Sequence, residues 1–173
     1  MRQFLLVATA FVLLLHTGCG YHTLGAATHI PPGVQTLSVP VFATRTEAYH
    51  TETVITDAVI REFATRTRLR VTPDSSQNAD AVLHGTILAE TVAPLTYNAA
   101  TQESSSFLIT MVVSVTLTGR DGKLLYENKN YVFRQQYQST TNLPTFLQEN
   151  PAAVERLSRE FARALVADVL EGF

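Results

Sequence analysis

The most regular pattern in the chain is an alternation of apolar and hydroxyl-bearing residues between positions 107 and 118. The apolar positions are Phe107, Ile109, Met111, Val113, Val115 and Leu117, and the hydroxyl positions are Thr110, Ser114, Thr116 and Thr118. A period of two residues is typical of a strand with one buried face. The turn 120–123 contains Asp-Gly, which tolerates a positive φ, so residues 124–137 are predicted to return as an antiparallel strand.

Two segments instead carry apolar residues at helical spacing. The first helix is predicted over residues 51–67, with the stripe Val54, Ile55, Ala58, Val59 and Phe63. The second follows a predicted loop over 139–148, with Asn150 as its cap and Pro151 as its first residue. Its stripe is Val154, Leu157, Phe161, Leu165 and Val169, and Gly172 is expected to end it.

The remaining strands are predicted over residues 34–42, 69–71 and 78–92, with a polar loop over 94–106. The resulting order, β–α–β–β–β–β–α, favours helices gathered on one side of a sheet. The predicted fold is therefore α+β: a two-layer sandwich of a mainly antiparallel four- to five-stranded sheet with two helices on one face. Ile109, Val113 and Phe161 are expected at the centre of its core.

The N-terminus carries an apolar run over residues 4–15, directly behind Arg2. As a helix these residues would span about 18 Å, which is too short for a hydrocarbon core of about 30 Å. The length instead suits the apolar part of a signal peptide. Two alternatives are an ordinary signal peptide in which Gly18-Cys19 occurs by chance, and an apolar helix over residues 4–15 that is buried in the domain core.

His16-Thr17-Gly18-Cys19 resembles the bacterial lipobox, in which a small residue precedes a lipidated cysteine. His16 stands where that motif favours leucine. The resemblance implies a signal peptide over residues 1–18, a triacylated Cys19, a tether over 19–33 and a single domain over 34–173. A non-aspartate residue after the cysteine, here Gly20, implies an outer-membrane location facing the periplasm in bacteria that sort lipoproteins by that residue.

Composition and motifs argue against several function classes. The formal net charge is −2 and only 16% of residues are charged, so a broad nucleic-acid-binding face is not expected. The single cysteine excludes an internal disulfide and a paired-cysteine metal site. No nucleophile motif, phosphate-binding loop or helical histidine pair occurs, so no enzyme activity, metal or cofactor is predicted.

Several segments together resemble the LptE family of lipopolysaccharide-assembly lipoproteins. They are Gly18–His22, Pro31–Phe42, Asp57–Phe63, Leu69–Val71 and Ala79–Ile87. The resemblance runs through the last predicted helix and implies a non-catalytic lipoprotein that plugs and helps assemble the LptD β-barrel. It also implies contact with lipopolysaccharide (LPS) and help with its insertion into the outer leaflet.

Phosphate groups of LPS would require cations, and arginine suits them through its fork of donors. The candidates are Arg120 and Lys123 at the hairpin tip, and Arg66, Arg68 and Arg70 after the first helix. Solvated charges, and cations that complement the helix dipole, explain the same residues without a ligand.

Two other functions stay open at this point. One is an outer-membrane-anchored adaptor that serves a different envelope complex and has no catalytic role. The other is an anchored hydrolase, for which no residue cluster provides support.

Overall fold

The structure, a computed structural model, describes residues 30–46, 50–74, 78–98, 103–138 and 143–171. In chain order the elements are β1 (Thr36–Ser38), β2 (Ala43–Thr44), α1 (Thr51–Arg66), β3 (Arg70–Thr72), β4 (Ala81–Asn98), β5 (Glu103–Gly119), β6 (Leu124–Gln138) and α2 (Leu143–Glu171). Within these ranges, neither helix is long and apolar enough to cross a membrane.

The strands form one sheet in the order β3-β1-β4-β5-β6, and the short β2 also pairs with β4. The three long strands pair antiparallel, β4 with β5 and β5 with β6. β1 is parallel to both β3 and β4, because α1 carries the chain back between β1 and β3. The predicted α+β class with a mainly antiparallel sheet is confirmed.

The core fills the space between the helices and one face of the sheet. Ile109, Val113 and Phe161 are all fully buried, as predicted. The Phe161 ring meets three other rings edge-on, with centroid distances of 6.2 Å to Phe42, 5.7 Å to Tyr131 and 5.3 Å to Phe133. Helix α2 is therefore held to β6 and to the segment after β1 through one aromatic cluster.

The Phe42 ring lies directly against the backbone of β4 at Gly85. A Cβ atom added to Gly85 would lie 2.1 Å from Cε2 of Phe42, so only glycine permits this approach. The Phe42 amide donates a 2.9 Å hydrogen bond to Oγ1 of Thr56 in α1. Phe42 thereby joins the sheet to α2 through its ring and to α1 through its backbone amide.

The predicted polar loop over 94–106 is wrong. β4 continues to Asn98 and β5 begins at Glu103, with Thr96 opposite Ser106 and Asn98 opposite Glu103. Backbone pairing across the hairpin outweighs the polar side chains, which lack the alternation that predicts a strand. Register shifts beside Pro94 and Thr96 accommodate the proline.

The predicted start of the last helix is also wrong, because α2 begins at Leu143 and contains Pro151 in its interior. A proline inside a helix costs about 3 kcal/mol, and for this reason the sequence favours a helix that begins at Pro151. Pro144 stands in the first turn, where proline is well tolerated, and packing of the following turns sustains the helix through Pro151. Gly172 lies outside the described residues.

The first strand is shorter than predicted. β1 ends at Ser38, and Val41 is 57% exposed although alternation placed it with the buried Leu37 and Val39. Pro40 lacks an amide hydrogen, so the ladder cannot continue regularly past it. The alternation therefore stops before Val41.

Candidate functional site

The face of the sheet that lies away from the helices, called the open face below, is formed by β4, β5 and β6. Its side chains form rows across the three strands: His84, Thr116 and Glu127; Ala89, Val112 and Val132; Thr91, Thr110 and Arg134; and Ala93, Leu108 and Gln136. The predicted hydroxyl positions of β5 all lie on this face and are half-buried by their neighbours.

An apolar row crosses the middle of the open face at Ala89, Val112 and Val132. Val132 is 38% exposed, and the other two are half-buried. Sequence reasoning treated this face as mainly hydroxyl-bearing and did not identify the row. Alternation along β6 could have indicated it: Tyr131 and Phe133 pack on the core, so Val132 between them must lie on the opposite face.

A register shift between Ile87 and Ala89 brings Ala89 onto the open face and turns Glu90 to the helix side, opposite Met111. The Thr51 hydroxyl donates a hydrogen bond to the Glu90 carboxylate, and burial raises the pKa of that carboxyl above 4.5. Its Oε2 is buried without a hydrogen-bond partner among the described residues. Glu90 thus joins β4 to the first turn of α1.

The sheet register brings both predicted groups of cations to one end of the domain. Arg70 lies opposite Thr36, and the next positions, Leu37, Ala81 and Gly119, pair in turn across β1, β4 and β5. The starts of three strands and the β5–β6 turn therefore share one edge. This edge, called the basic end below, carries Arg66, Arg68, Arg70, Arg120 and Lys123.

Arg120 is committed to structural contacts at the basic end. Its guanidinium lies 2.9 Å from the Asp80 carboxylate and donates a 2.6 Å hydrogen bond to the Asn78 carbonyl. Asp80 also accepts hydrogen bonds from the amides of Gln35 and Thr36, at 3.0 and 2.9 Å, and from the Thr36 hydroxyl. These bonds, with that from Gln35 the largest cause, lower the pKa of Asp80.

The other cations of the basic end are less engaged. Arg66 lies 3.9 Å from the Glu62 carboxylate one turn earlier in α1. Arg68, Arg70 and Lys123 are exposed, and no ion pair holds them among the described side chains.

A groove of about 510 Å³ opens beside Arg68 at the same end. Its walls are mainly apolar: Ile30, Pro31, Pro32, Val34, Leu69 and Leu170. Ile30 is itself buried and packs with the core, so this is also the end where the chain enters the described domain.

A tyrosine pair, buried at Tyr131 and partly buried at Tyr126, holds the last turns of α2 to β6. The Tyr131 hydroxyl donates a 2.5 Å hydrogen bond to Oδ2 of Asp168, and the Tyr126 hydroxyl contacts that of Tyr131. Burial, followed by the Asp168 bond, raises the pKa of Tyr131. These groups lie between helix and sheet, so we assign them a structural role.

No three His, Cys, Asp or Glu side chains converge as a metal site within the described ranges. Cys19, with the rest of residues 1–29, lies outside the described residues, so its lipidation stays a prediction.

Solved structures with the same architecture include bacterial lipoproteins. A candidate lipoprotein from Caulobacter crescentus has a TM-score of 0.54 at 13% identity, covering 77% of this chain and 88% of that one. Uncharacterized lipoprotein B from Nitrosomonas europaea has a TM-score of 0.54 at 12% identity, covering 83% and 90%. The PelC dodecamer from Paraburkholderia phytofirmans has a TM-score of 0.51 at 9% identity, covering 79% of this chain and 89% of that one. At these identities the likeness establishes the fold.

The fold defines the class as a small α+β domain of the kind also found in these two bacterial lipoproteins. The model of the LptE lipopolysaccharide-assembly family matches residues 34–169, so the chain belongs to that family and the resemblance is confirmed. It is accordingly a lipoprotein of the LPS-assembly type, from a non-enzymatic family. No curated protein sequence matches the chain.

Proposed function

We propose that this chain is anchored to the outer membrane by lipid on Cys19 and occupies the lumen of an LptD-type β-barrel. There it supports assembly of the barrel and insertion of LPS into the outer leaflet. Family membership supports the process, and the open face is the structural observation that supports the mode of binding.

The open face suits the inner wall of a barrel because such walls are polar. Its central strand carries Thr110, Ser114, Thr116 and Thr118, whose hydroxyls can exchange hydrogen bonds with polar groups and add no charge. Burying a charge without a partner costs far more than burying a hydroxyl that keeps a hydrogen bond. Among the described side chains, the charged groups on this face lie on β6: Glu127, with the Lys129 ammonium 3.3 Å from its carboxylate, and Arg134.

Lipid attachment strengthens this proposal physically. A tethered domain moves in a thin layer next to the membrane, which raises its effective concentration towards a barrel in the same membrane. A modest contact area on the open face would then suffice for stable association.

The contact with LPS phosphates stays a prediction. Since Arg120 holds Asp80, the predicted contact depends mainly on Arg68, Arg70 and Lys123, with Arg66 beside them.

Photocrosslinking in cells tests the plug directly. A photoreactive residue at Thr110, Ser114 or Thr116 should trap a large β-barrel protein, and mass spectrometry should identify it. At the hairpin tip Lys123 is preferable to Arg120, because replacing Arg120 would remove the Asp80 ion pair. A photoreactive residue at Glu155, which is exposed on α2, tests whether the barrel surrounds the domain, because the wall around a plug also faces its helices.

Each outcome has a defined meaning. Crosslinks to the same barrel from the open face and from Glu155 support the plug. A correctly localised protein whose open face yields no barrel crosslink contradicts it and favours the adaptor of another envelope complex. Cys19→Ser should abolish acyl labelling and membrane fractionation, and unchanged labelling would disprove the anchor.

A further inference from the structure

The basic end is the part of the domain closest along the chain to the proposed lipid. Ile30 lies in the groove wall at this end, 11 residues after Cys19. Eleven residues reach at most about 40 Å. If Cys19 carries the lipid, as proposed above, the basic end can reach the headgroups of the anchoring leaflet.

The charge of this end is opposite to that of the whole chain. The formal net charge is −2, yet the basic end carries five cations, of which Arg68, Arg70 and Lys123 are exposed and lie outside the ion pairs of the described side chains. Asp80 pairs with Arg120 and Glu62 with Arg66, which leaves Asp121 against Arg68, Arg70 and Lys123. The unpaired positive charge is therefore exposed on one edge of an otherwise negative molecule.

The spacing of the cations suits a surface better than a single phosphate. Arg70 and the β5–β6 turn lie three strands apart along the sheet edge, which is about 14 Å. That distance is far larger than one phosphate, so cations at the two places would contact different headgroups. Beside Arg68, the apolar groove walls at Pro32 and Leu69 would meet the less polar layer below the headgroups.

We propose that the basic end binds anionic phospholipid headgroups of the leaflet that holds the anchor, while the lipoprotein is not bound to its barrel. The strands then stand away from the membrane, because this end is where β1, β3 and β4 begin. The open face is consequently turned sideways along the bilayer. This orientation goes beyond tethering, since a tether alone leaves the domain free to rotate.

Site-directed fluorescence on the lipidated full chain, without barrel, tests this orientation. Leu124→Cys and Gln138→Cys place dyes at exposed positions at the two ends of β6, about 46 Å apart. The vesicles contain phosphatidylethanolamine and phosphatidylglycerol with a headgroup-attached quencher. We expect strong quenching at position 124 and little at position 138.

The matched variants separate the basic end from charge in general. Each cation near an anionic surface contributes about fivefold, so Arg68→Gln, Arg70→Gln and Lys123→Gln together should lower the equilibrium constant for headgroup binding about 100-fold. Their control is Arg45→Gln, Arg134→Gln and Arg159→Gln, which removes the same charge from exposed positions elsewhere. The control should keep the difference between the two dyes, and 1 M salt, with a screening length of about 3 Å, should abolish it.

Three results would overturn the proposal. Equal quenching at both dyes in phosphatidylglycerol vesicles would show that the domain has no preferred end. A difference that survives the triple variant would assign headgroup binding to other residues. A difference that appears only when LPS replaces phosphatidylglycerol would assign these cations to the cargo. None of these results affects the barrel crosslinks, which test the plug separately.

Discussion

Phe161→Ala is the sharpest test of how the helical layer is held to the sheet. Phe161 is fully buried, and its ring packs edge-on against Phe42, Tyr131 and Phe133. Replacing a buried phenylalanine by alanine costs about 3–5 kcal/mol, which includes the cavity left behind. Aromatic pairs contribute about 0.5–1.5 kcal/mol each beyond buried area, and Phe161 makes three, so the upper part of the range is expected.

Urea unfolding followed by circular dichroism measures this loss, since the chain has no tryptophan to report it. With a slope of about 1.5 kcal/mol per molar, the midpoint should fall by about 3 M. Phe161→Leu keeps most of the volume and should lose less. Glu160→Ala, at the exposed neighbouring position, should stay within about 0.5 kcal/mol of the wild type. A Phe161→Ala midpoint equal to that of Glu160→Ala would refute the packing described for this cluster.

Three further changes test buried and paired polar groups by urea unfolding. Burial raises the pKa of Glu90 above 4.5, so ionisation of this carboxyl destabilises the folded protein as the pH rises. Glu90→Gln should therefore raise the urea midpoint at pH 7. Below about pH 4 the wild-type carboxyl is protonated in both states, and the variant should lose this gain in stability. Hydrogen bonds lower the pKa of Asp80, so its carboxylate stabilises the fold above about pH 4 and this stabilisation is lost on acidification. Asp80→Asn should therefore weaken the fall in urea midpoint between neutral and acidic pH. A fall as steep as that of the wild type would contradict this role. Tyr131→Phe removes the donor to Asp168 and should cost about 1–3 kcal/mol, more than Tyr126→Phe, with equal losses arguing against the bond.

The elements with strong periodicity were predictable because their patterns report local burial. The alternation over 107–118 identified the central strand and its buried side, and the two helical stripes identified the faces that pack on it. The ends of these elements were not predictable in the same way. The polar part of the β4–β5 hairpin pairs through its backbone, and α2 continues through Pro151, so both outcomes depend on partners distant in the chain.

The candidate cations were identified from the sequence, but their arrangement was not. Arg70 and Arg120 come to the same edge only because β1 lies between β3 and β4 with all three parallel. The ion pair of Arg120 with Asp80 joins residues 40 positions apart, and no local pattern indicates it. Lipidation of Cys19 remains a prediction from the N-terminal motif, because Cys19 lies outside the described residues.

The open face shows why alternation identifies a surface without identifying its environment. A strand with one buried side has the same period whether its other side meets water or a polar wall, because hydroxyl groups satisfy both. The row of Ala89, Val112 and Val132 differs from the hydroxyls in this respect, since water gives its apolar surface no favourable contact. A barrel wall that covers this row would gain about 25 cal/mol for each Å² of apolar surface removed from water, while the flanking Thr110 and Ser114 keep their hydrogen bonds. Apolar side chains that lie beside the hydroxyls of Thr110 and Ser114 therefore favour a face that is covered in its working state, and crosslinks from this face measure what covers it.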